Sequence, residues 1–153
     1  LKGAVYELGF DPVLVQDPSQ LEECDNIILP GVGSFYHGTQ MMIEANVFEP
    51  IQKLVSGGTP LLGICLGMQL LFEESDERIL TKGLGLLKGK VTRISSDAGY
   101  AVPHVGWNSV NTAKENPLLA NIDSDARFYY DHSYFVAQKN ELSEDDFYLF
   151  LGI

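Results

Sequence analysis

The sequence predicts an α/β fold, a mostly parallel open sheet with helices on both faces, to which antiparallel strands are added later in the chain. In the first half, short apolar runs alternate with segments whose apolar residues have helical spacing. Short glycine-containing links join them, and this order is typical of parallel strands covered by helices. From Gly83 onward the alternation stops and longer strand-like runs follow, which favours antiparallel additions.

Composition limits the classes of protein to which the chain can belong. Its 153 residues are 45% hydrophobic, so residues 1–153 are expected to form one domain with its own core. Apolar runs stay below the ~18 residues that a membrane helix needs, and no secretory pattern opens the chain. Two cysteines, Cys24 and Cys65, argue against a disulfide framework and favour a cytoplasmic protein. A net charge of −11 disfavours binding to nucleic acid or anionic membranes.

Both ends of the chain are interpreted as cuts within the fold. Residues 1–9 predict a helix that Gly9 ends, whereas an alternating α/β domain normally begins with a strand. Residues 147–153 predict a strand that no further element follows. We therefore expect the domain to be incomplete at its N-terminus and at its C-terminus.

The first half of the chain predicts an alternation of strands and helices. Residues 12–15 predict a short strand, residues 17–23 a capped helical turn and residues 26–29 a buried strand. Residues 40–56 carry apolar side chains at roughly helical spacing and predict one helix, which two glycines end. The continuous apolar run at residues 60–64 predicts a second buried parallel strand.

Three runs predict the later part of the fold. Residues 85–94 and 128–136 have the pattern of strands and are expected to be antiparallel additions to the sheet. Residues 102–108 lie between them, contain the only tryptophan and predict a surface turn.

Cys65 is the strongest candidate for a reactive residue. It follows the apolar run, lies between Gly63 and Gly67, and precedes a helix-like segment, which is the pattern of a nucleophile elbow. The glycines permit a sharp turn of the backbone and a close approach of substrate. A helix N-terminus favours the thiolate form of a cysteine. The alternative is a structural cysteine buried between two packing glycines.

A second glycine loop, Gly31-Val32-Gly33, follows the strand at residues 26–29. Its amide groups can form an oxyanion hole, although an ordinary strand-to-helix turn has the same pattern. Ligands of parallel α/β sheets bind at the carboxyl ends of the strands, where both glycine loops are expected. The glycine spacings of dinucleotide-binding and phosphate-binding loops are not met, so neither type of site is supported.

Several polar residues are candidates for substrate contacts. Gln69 lies one helical turn after Cys65, so it either recognises an amide beneath the nucleophile or is solvated. Glu77 lies on the same helical face as Gln69 only if the helix persists through residues 75–76, and otherwise it is a solvated surface charge. The run His132-Ser133-Tyr134 interrupts an aromatic strand, which indicates either a ligand-facing strand end or hydrogen bonding at a sheet edge.

The three histidines, His37, His104 and His132, lie in different contexts. A catalytic thiol usually has a histidine within reach, but none of the three is paired with a carboxylate at a suggestive spacing. No group of residues has zinc-ligand spacing, so we expect neither a metal site nor another cofactor. Trp107 and Asn108 are interpreted either as a contact to a partner protein or, for Trp107, as a cap on the core.

Four runs, in the order in which they occur, resemble the class I glutamine amidotransferases. They are Pro-Gly-Val-Gly-Ser-Phe at residues 30–35, Gly-Ile-Cys-Leu-Gly-Met-Gln at 63–69, Pro-His-Val-Gly-Trp-Asn at 103–108 and His-Ser-Tyr at 132–134. Within that family, the third run is similar to the glutaminase subunits of imidazole glycerol phosphate synthases, which act in histidine biosynthesis. The resemblance covers nearly all of the chain and implies a flavodoxin-like fold.

The resemblance also implies roles for the candidate residues. Cys65 would attack the side-chain amide of glutamine, giving a glutamyl thioester and ammonia. The loop at residues 30–33 would supply the oxyanion hole, with Gly31, Val32 and Gly33 nearest to the reacting oxygen. The residues implied to bind glutamine are Gln69, Glu77, His132, Ser133 and Tyr134.

A partner subunit is implied in the same way. Trp107, Asn108 and Tyr129 would face a cyclase subunit with a (β/α)8 barrel in a heterodimer, and ammonia would pass into that barrel. The family's catalytic His and Glu come from a His-Pro-Glu run, which these 153 residues do not contain. The family's first strand, with its Gly-Asn turn, does not precede Leu1. General-base assistance is worth about 100- to 10,000-fold, so these residues alone are expected to be nearly inert.

Two other functions stay open at the level of sequence. One is a non-catalytic module that only docks on a partner, which the missing His-Pro-Glu run favours and the intact elbow with Gln69 opposes. The other is a glutaminase that serves a different ammonia-using synthase, such as one for surface sugars.

Overall fold

The computed structural model describes residues 1–96, 99, 101–110 and 117–137. The α-helices among them are Lys2–Glu7 (α1), Phe35–Glu44 (α2), Phe48–Ser56 (α3) and Leu66–Gln69 (α4). The strands are Ile27–Gly31 (β1), Leu61–Cys65 (β2), Phe72–Ser75 (β3), Thr81–Lys82 (β4), Leu87–Arg93 (β5), His104–Ser109 (β6), Arg127–His132 (β7) and Tyr134–Ala137 (β8). Short 3-10 helices span Pro18–Glu23 and Pro117–Leu119.

The described strands form three sheets that combine parallel and antiparallel pairs. β1 and β2 form a parallel pair, and β3 and β5 form another within a four-stranded sheet of order β4-β3-β5-β8. β4 and β8 add to that sheet in antiparallel fashion, and β6 pairs with β7 as an antiparallel ribbon. The α/β class is confirmed, and so are the antiparallel additions in the second half of the chain.

The elements pack around one cluster of buried apolar side chains. Phe35 at the start of α2 and Phe72 in β3 are both fully buried members of this cluster. The other members come from the 3-10 helix, the helices, β1, β5 and the links between them: Leu21, Ile27, Met42, Ile51, Leu66, Leu70, Leu71, Leu84, Leu87 and Val91. Within the described part of the chain, no helix is long and apolar enough to cross a membrane.

Three glycines let β1, β2 and α4 approach each other closely. A Cβ atom on Gly67 would overlap the carbonyl oxygen of Leu29 in β1. One on Gly63 would lie 2.5 Å from the Cα of Met68, and one on Gly31 would lie 2.9 Å from the amide nitrogen of Gly67. Since the facing atoms are backbone, they cannot move aside as a flexible side chain would.

The first part of the chain forms two of the expected elements and lacks a third. The helix expected in residues 1–9 is present as α1, and Gly9 follows it with φ 87°. The capped turn is the 3-10 helix Pro18–Glu23, which the Asp17 side chain caps. The strand expected at residues 12–15 is wrong: Val13 and Leu14 are exposed and pair with no described strand, so apolar character alone did not make a strand there.

The single helix expected at residues 40–56 is two helices, α2 and α3. α2 ends at Glu44, and Asn46 turns the chain with φ 55°, a left-handed conformation that asparagine tolerates better than most residues. Met42 of α2 and Ile51 of α3 are buried in the same core. The helical spacing of apolar residues therefore continues across the turn that separates the two helices.

The surface turn expected at residues 102–108 is also wrong, since most of that segment belongs to strand β6. Its partner β7 begins 18 residues after β6 ends, so no local pattern reveals the pairing. The strand expected at residues 128–136 is two strands that part at Ser133, because β7 pairs with β6 and β8 pairs with β5. The run at residues 147–153 lies outside the described residues.

We expect the substitution Gly67→Ala to destabilise the fold. The added methyl group meets the Leu29 carbonyl, and overpacking of this kind typically costs about 1–3 kcal/mol of unfolding free energy. Urea denaturation followed by circular dichroism measures the effect.

The control is Gly3→Ala. Gly3 lies in α1 with open space around its Cβ position, so alanine there should leave the stability equal or raise it by about 0.5–1 kcal/mol. Equal unfolding midpoints for the Gly67→Ala variant and the unsubstituted protein would contradict the packing argument.

Candidate active site

Cys65 forms the turn between strand β2 and helix α4. Its backbone has φ 55° and ψ −119°, a conformation that residues other than glycine rarely adopt. Strain of this kind costs about 1–3 kcal/mol and concentrates at functional sites. The sharp strand-to-helix turn expected at this cysteine is therefore present, and the half-buried thiol is held at the end of the strand.

The helix that follows Cys65 is shorter than the sequence indicated. α4 ends at Gln69, and strand β3 begins at Phe72. A four-residue helix has a much weaker dipole than a longer helix. It still places Met68 and Gln69 beside the sulfur, in the lining of the same cleft.

The glycine loop lies directly beside the elbow. In the parallel pairing of β1 with β2, Gly31 is the register partner of Cys65. The loop Val32-Gly33 continues from that point, with Val32 90% exposed and Gly33 at φ 103°. The two carboxyl strand ends that the sequence indicated are thus neighbours at one edge of the sheet.

Glu77 fixes the far end of this loop. Its carboxylate Oε2 accepts a hydrogen bond of 2.7 Å from the amide of Phe35, the first residue of α2. A carboxylate at a helix N-terminus satisfies an amide that lacks a partner within the helix and interacts favourably with the helix dipole. Because β3 replaces the expected continuation of α4, Glu77 does not share a helical face with Gln69, and it is not among the residues that line the cleft.

The sulfur opens into a cleft of about 200 Å³ between α4 and strands β7 and β8. Among the described residues, its lining consists of Cys65, Met68, Gln69, Tyr130, His132, Tyr134, Phe135 and Val136. Three side chains indicated by the sequence, those of Gln69, His132 and Tyr134, therefore meet Cys65 in one cleft. Ser133 is not in this lining, and its carbonyl accepts a hydrogen bond from the Ile94 amide at 2.9 Å.

Gln69 and His132 converge on one backbone carbonyl. The Gln69 side-chain amide donates to the Tyr134 carbonyl at 3.3 Å, and His132 Nδ1 lies 2.8 Å from the same oxygen. These contacts tie α4 and β7 to the first residue of β8. Gln69 is thus engaged with the protein rather than simply solvated.

His132 also contacts a second histidine. Its Nε2 lies 3.0 Å from Nδ1 of His104, and His104 Nε2 lies 2.6 Å from Nδ2 of Asn108. His104 and Asn108 are on the same face of β6, opposite His132 and Phe128 of β7. His37 is exposed on α2.

Tyr130 is a cleft residue that the sequence did not single out. It precedes His132 by two positions in β7, so both side chains project to the same face of the ribbon. This alternation of side chains along a strand is the sequence signal that could have identified Tyr130 as a cleft residue. Burial raises the pKa of Tyr130 above its ordinary value. The phenol, which is protonated at neutral pH in any case, can donate a hydrogen bond.

The opposite face of the ribbon is exposed and carries an aromatic pair, with Arg127 and Asp131 on either side of Tyr129. The rings of Trp107 and Tyr129 pack edge to face with centroids 5.6 Å apart, and their side chains are 62% and 43% exposed. Val105 on the same face is also exposed. Asn108 projects to the cleft-side face, so the three residues implied to contact a partner lie on two faces.

We expect Glu77→Ala to loosen the start of α2. Loss of a hydrogen bond to a charged acceptor typically costs about 1.5–3 kcal/mol, so the unfolding free energy should fall by an amount of that order. Glu77→Gln, which keeps an oxygen acceptor, should lose less.

The matched control is Glu44→Ala, which removes an exposed glutamate at the other end of α2. Urea titrations of all three variants give the comparison. Equal unfolding midpoints for Glu77→Ala and Glu44→Ala would show that the bond to Phe35 has no role in stability.

Comparisons with known proteins agree with this geometry. The family model described as glutamine amidotransferase class-I matches residues 1–150. The imidazole glycerol phosphate synthase subunit HisH of Geobacillus sp. (strain WCH70) is 44% identical over 137 residues, covering 87% of this chain and 64% of the relative. Subunit HisH 2 of Prochlorococcus marinus (strain MIT 9313) is 46% identical over 121 residues, covering 79% and 56%.

The chain spans about two thirds of the length of the Geobacillus relative and less of the Prochlorococcus one. A solved structure described as a crystal structure of glutamine amidotransferase superposes with a TM-score of 0.65 at 22% identity. That match covers 94% of this chain and 68% of the other, and it shows that the fold is shared. Because the family model matches residues 1–150 of the 153-residue chain, the chain belongs to the class I glutamine amidotransferases.

Proposed function

We propose that this chain carries the glutamine-hydrolysing site of an imidazole glycerol phosphate synthase. The observation that carries the proposal is the strained turn at Cys65, which lies beside Gly31 and opens into a cleft with Gln69, His132 and Tyr134. The relatives named as subunits of that synthase support the choice of enzyme.

The proposed chemistry proceeds through a thioester. The Cys65 sulfur attacks the side-chain amide carbon of glutamine, the C–N bond breaks, and the nitrogen leaves as ammonia after it takes up the thiol proton. Water then cleaves the thioester, which gives glutamate and restores the thiol. Negative charge that develops on the carbonyl oxygen is stabilised by amide groups of the loop Gly31, Val32 and Gly33.

Glutamine would occupy the cleft against Gln69, His132 and Tyr134. Glu77 and Ser133 act on the same site in this proposal through the backbone, Glu77 by holding the end of the glycine loop and Ser133 by its bond to Ile94. Both ring nitrogens of His132 are engaged by the protein. His132 is therefore not proposed as the general base. Because the described residues that line the cleft offer no other general base, covalent labelling of the Cys65 thiol tests the nucleophile better than a measurement of turnover does.

The proposed partner is a cyclase subunit with a (β/α)8 barrel, which receives the ammonia in a heterodimer. The exposed pair Trp107 and Tyr129 supports a docking surface on the outer face of the β6–β7 ribbon, since exposed aromatic residues are enriched at protein interfaces. Asn108, on the other face and bonded to His104, is not part of that proposed surface. The setting is histidine biosynthesis in the cytoplasm, and no metal or other cofactor is needed for glutamine hydrolysis by this route.

A glutamine-like diazoketone, 6-diazo-5-oxo-L-norleucine, is expected to alkylate Cys65. L-Glutamine should protect the thiol by competition, and Cys65→Ala should abolish labelling. Intact-protein and peptide mass spectrometry measure the adduct and its position.

Cys24→Ala is the matched control, because Cys24 is the second thiol and bonds the Gln20 carbonyl away from the cleft. It should label like the unsubstituted protein. Labelling that L-glutamine does not slow, or that falls on Cys24, would refute the proposed site and favour a docking module without catalysis.

We expect Trp107→Ala to weaken binding to the cyclase subunit by about tenfold or more, as truncation of a large aromatic anchor usually does. Tyr6→Ala removes another exposed aromatic side chain, in α1, and should bind normally. Isothermal titration calorimetry measures both affinities. Unchanged affinity of the Trp107→Ala protein would remove the outer ribbon face from the proposed interface.

A further inference from the structure

A chain of hydrogen bonds crosses three strands and ends in the lining of the Cys65 cleft. It runs from Asn108 through His104 to His132, and from His132 to the Tyr134 carbonyl, which also accepts from Gln69. The successive heavy-atom distances are 2.6, 3.0, 2.8 and 3.3 Å. The outer two members lie on β6, and the cleft begins at His132.

The two hydrogen-bond partners of His132, the Tyr134 carbonyl and His104, favour the same tautomer of its ring. A carbonyl oxygen only accepts hydrogen bonds, so the bond to Tyr134 requires a proton on Nδ1 of His132. In the neutral ring its Nε2 is then an acceptor, and it requires a donor, which is Nδ1–H of His104. His104 Nε2 is therefore an acceptor as well, and the Asn108 side-chain amide donates to it. All members of the chain are satisfied with both histidines neutral and in the same tautomer.

We propose that His104 is a positioning residue for the glutamine cleft, which acts by fixing the tautomer and ring orientation of His132. The inference rests on the proposed function for the identity of the ligand. His104 is absent from the cleft lining, whereas its bond partner His132 belongs to it, so the influence of His104 passes through His132. Once His132 is fixed, it and Gln69 hold the first residue of β8 as one wall of the cleft.

The packing of the rings supports this role. The centroid of His104 lies 5.0 Å from that of His132 and 5.3 Å from that of Tyr130, and the latter two rings both line the cleft. The three rings thus support each other on the inner face of the β6–β7 ribbon. A hydrogen-bonded network in which each member has one satisfied arrangement restricts its side chains more than apolar packing alone does.

The test compares two substitutions of His104. Phenylalanine keeps a ring against Tyr130 and removes the Nδ1 donor, whereas asparagine places an amide donor close to the Nδ1 position. Labelling kinetics with 6-diazo-5-oxo-L-norleucine separate the reagent's binding constant from the maximal rate of alkylation.

With His104→Phe we expect the binding constant to weaken by about tenfold, the usual effect of one lost hydrogen bond, while the maximal rate changes little. His104→Asn should recover most of the affinity. A merely structural role predicts lower thermal stability for both variants without this difference. Equal binding constants for the His104→Phe variant and the unsubstituted protein would overturn the proposal.

The tautomers are read independently of any glutamine analogue. The chain has three histidines, so ¹⁵N NMR of the imidazole rings is simple to assign with the help of a His37→Gln variant. We expect protonated Nδ1 and unprotonated Nε2 in both His104 and His132 at neutral pH, and loss of that pattern at His132 in His104→Phe. A proton on Nε2 of His132 in the unsubstituted protein would overturn the proposal.

The two sets of measurements also separate this inference from the proposed function. If glutamine fails to protect Cys65 but the tautomers follow the expected pattern and respond to His104→Phe, the proposed function fails and the positioning of His132 stands. If protection is observed but neither the tautomer nor the binding constant responds to that substitution, the proposed function stands and the positioning role fails.

Discussion

Close contact between the backbones of β1, β2 and α4 is the constraint on which the rest of the site depends. Gly31, Gly63 and Gly67 occupy positions where a side chain would meet backbone atoms. Their small size lets the chain turn sharply enough to place Cys65 at φ 55° beside the end of β1. Such a strained conformation persists only where the surrounding packing holds it.

The other wall of the cleft depends on a break in a strand. At Ser133 the chain leaves the β6–β7 ribbon and enters β8, which pairs with β5 in the main mixed sheet. This change of partner brings His132 and Tyr134 against α4. It also gives the ribbon two faces with different surroundings, one toward the cleft with His104 and one exposed with Trp107.

Features of the site that depend on a few neighbouring residues were predicted correctly from the sequence, whereas features that depend on distant residues were not. The strand before the glycine loop, the run before Cys65 and the turn at Cys65 were predicted correctly, because glycines and apolar runs act over a few residues. The segment at residues 102–108 was predicted as a turn, since proline and glycine are local turn signals and its pairing with β7 is not local. Glu77 was expected to share a face with Gln69 only if the helix persisted, and β3, which pairs with β5, takes the place of that continuation.

The sequence by itself determined the α/β class, the elbow and the family, because each depends on residue types at fixed short spacings. Only the tertiary structure decided which side chains meet at the sulfur. The contacts of His104 with His132, of Gln69 with Tyr134 and of Glu77 with Phe35 join residues 28, 65 and 42 positions apart. No local periodicity encodes such contacts, since they arise from the packing of elements that are distant in the chain.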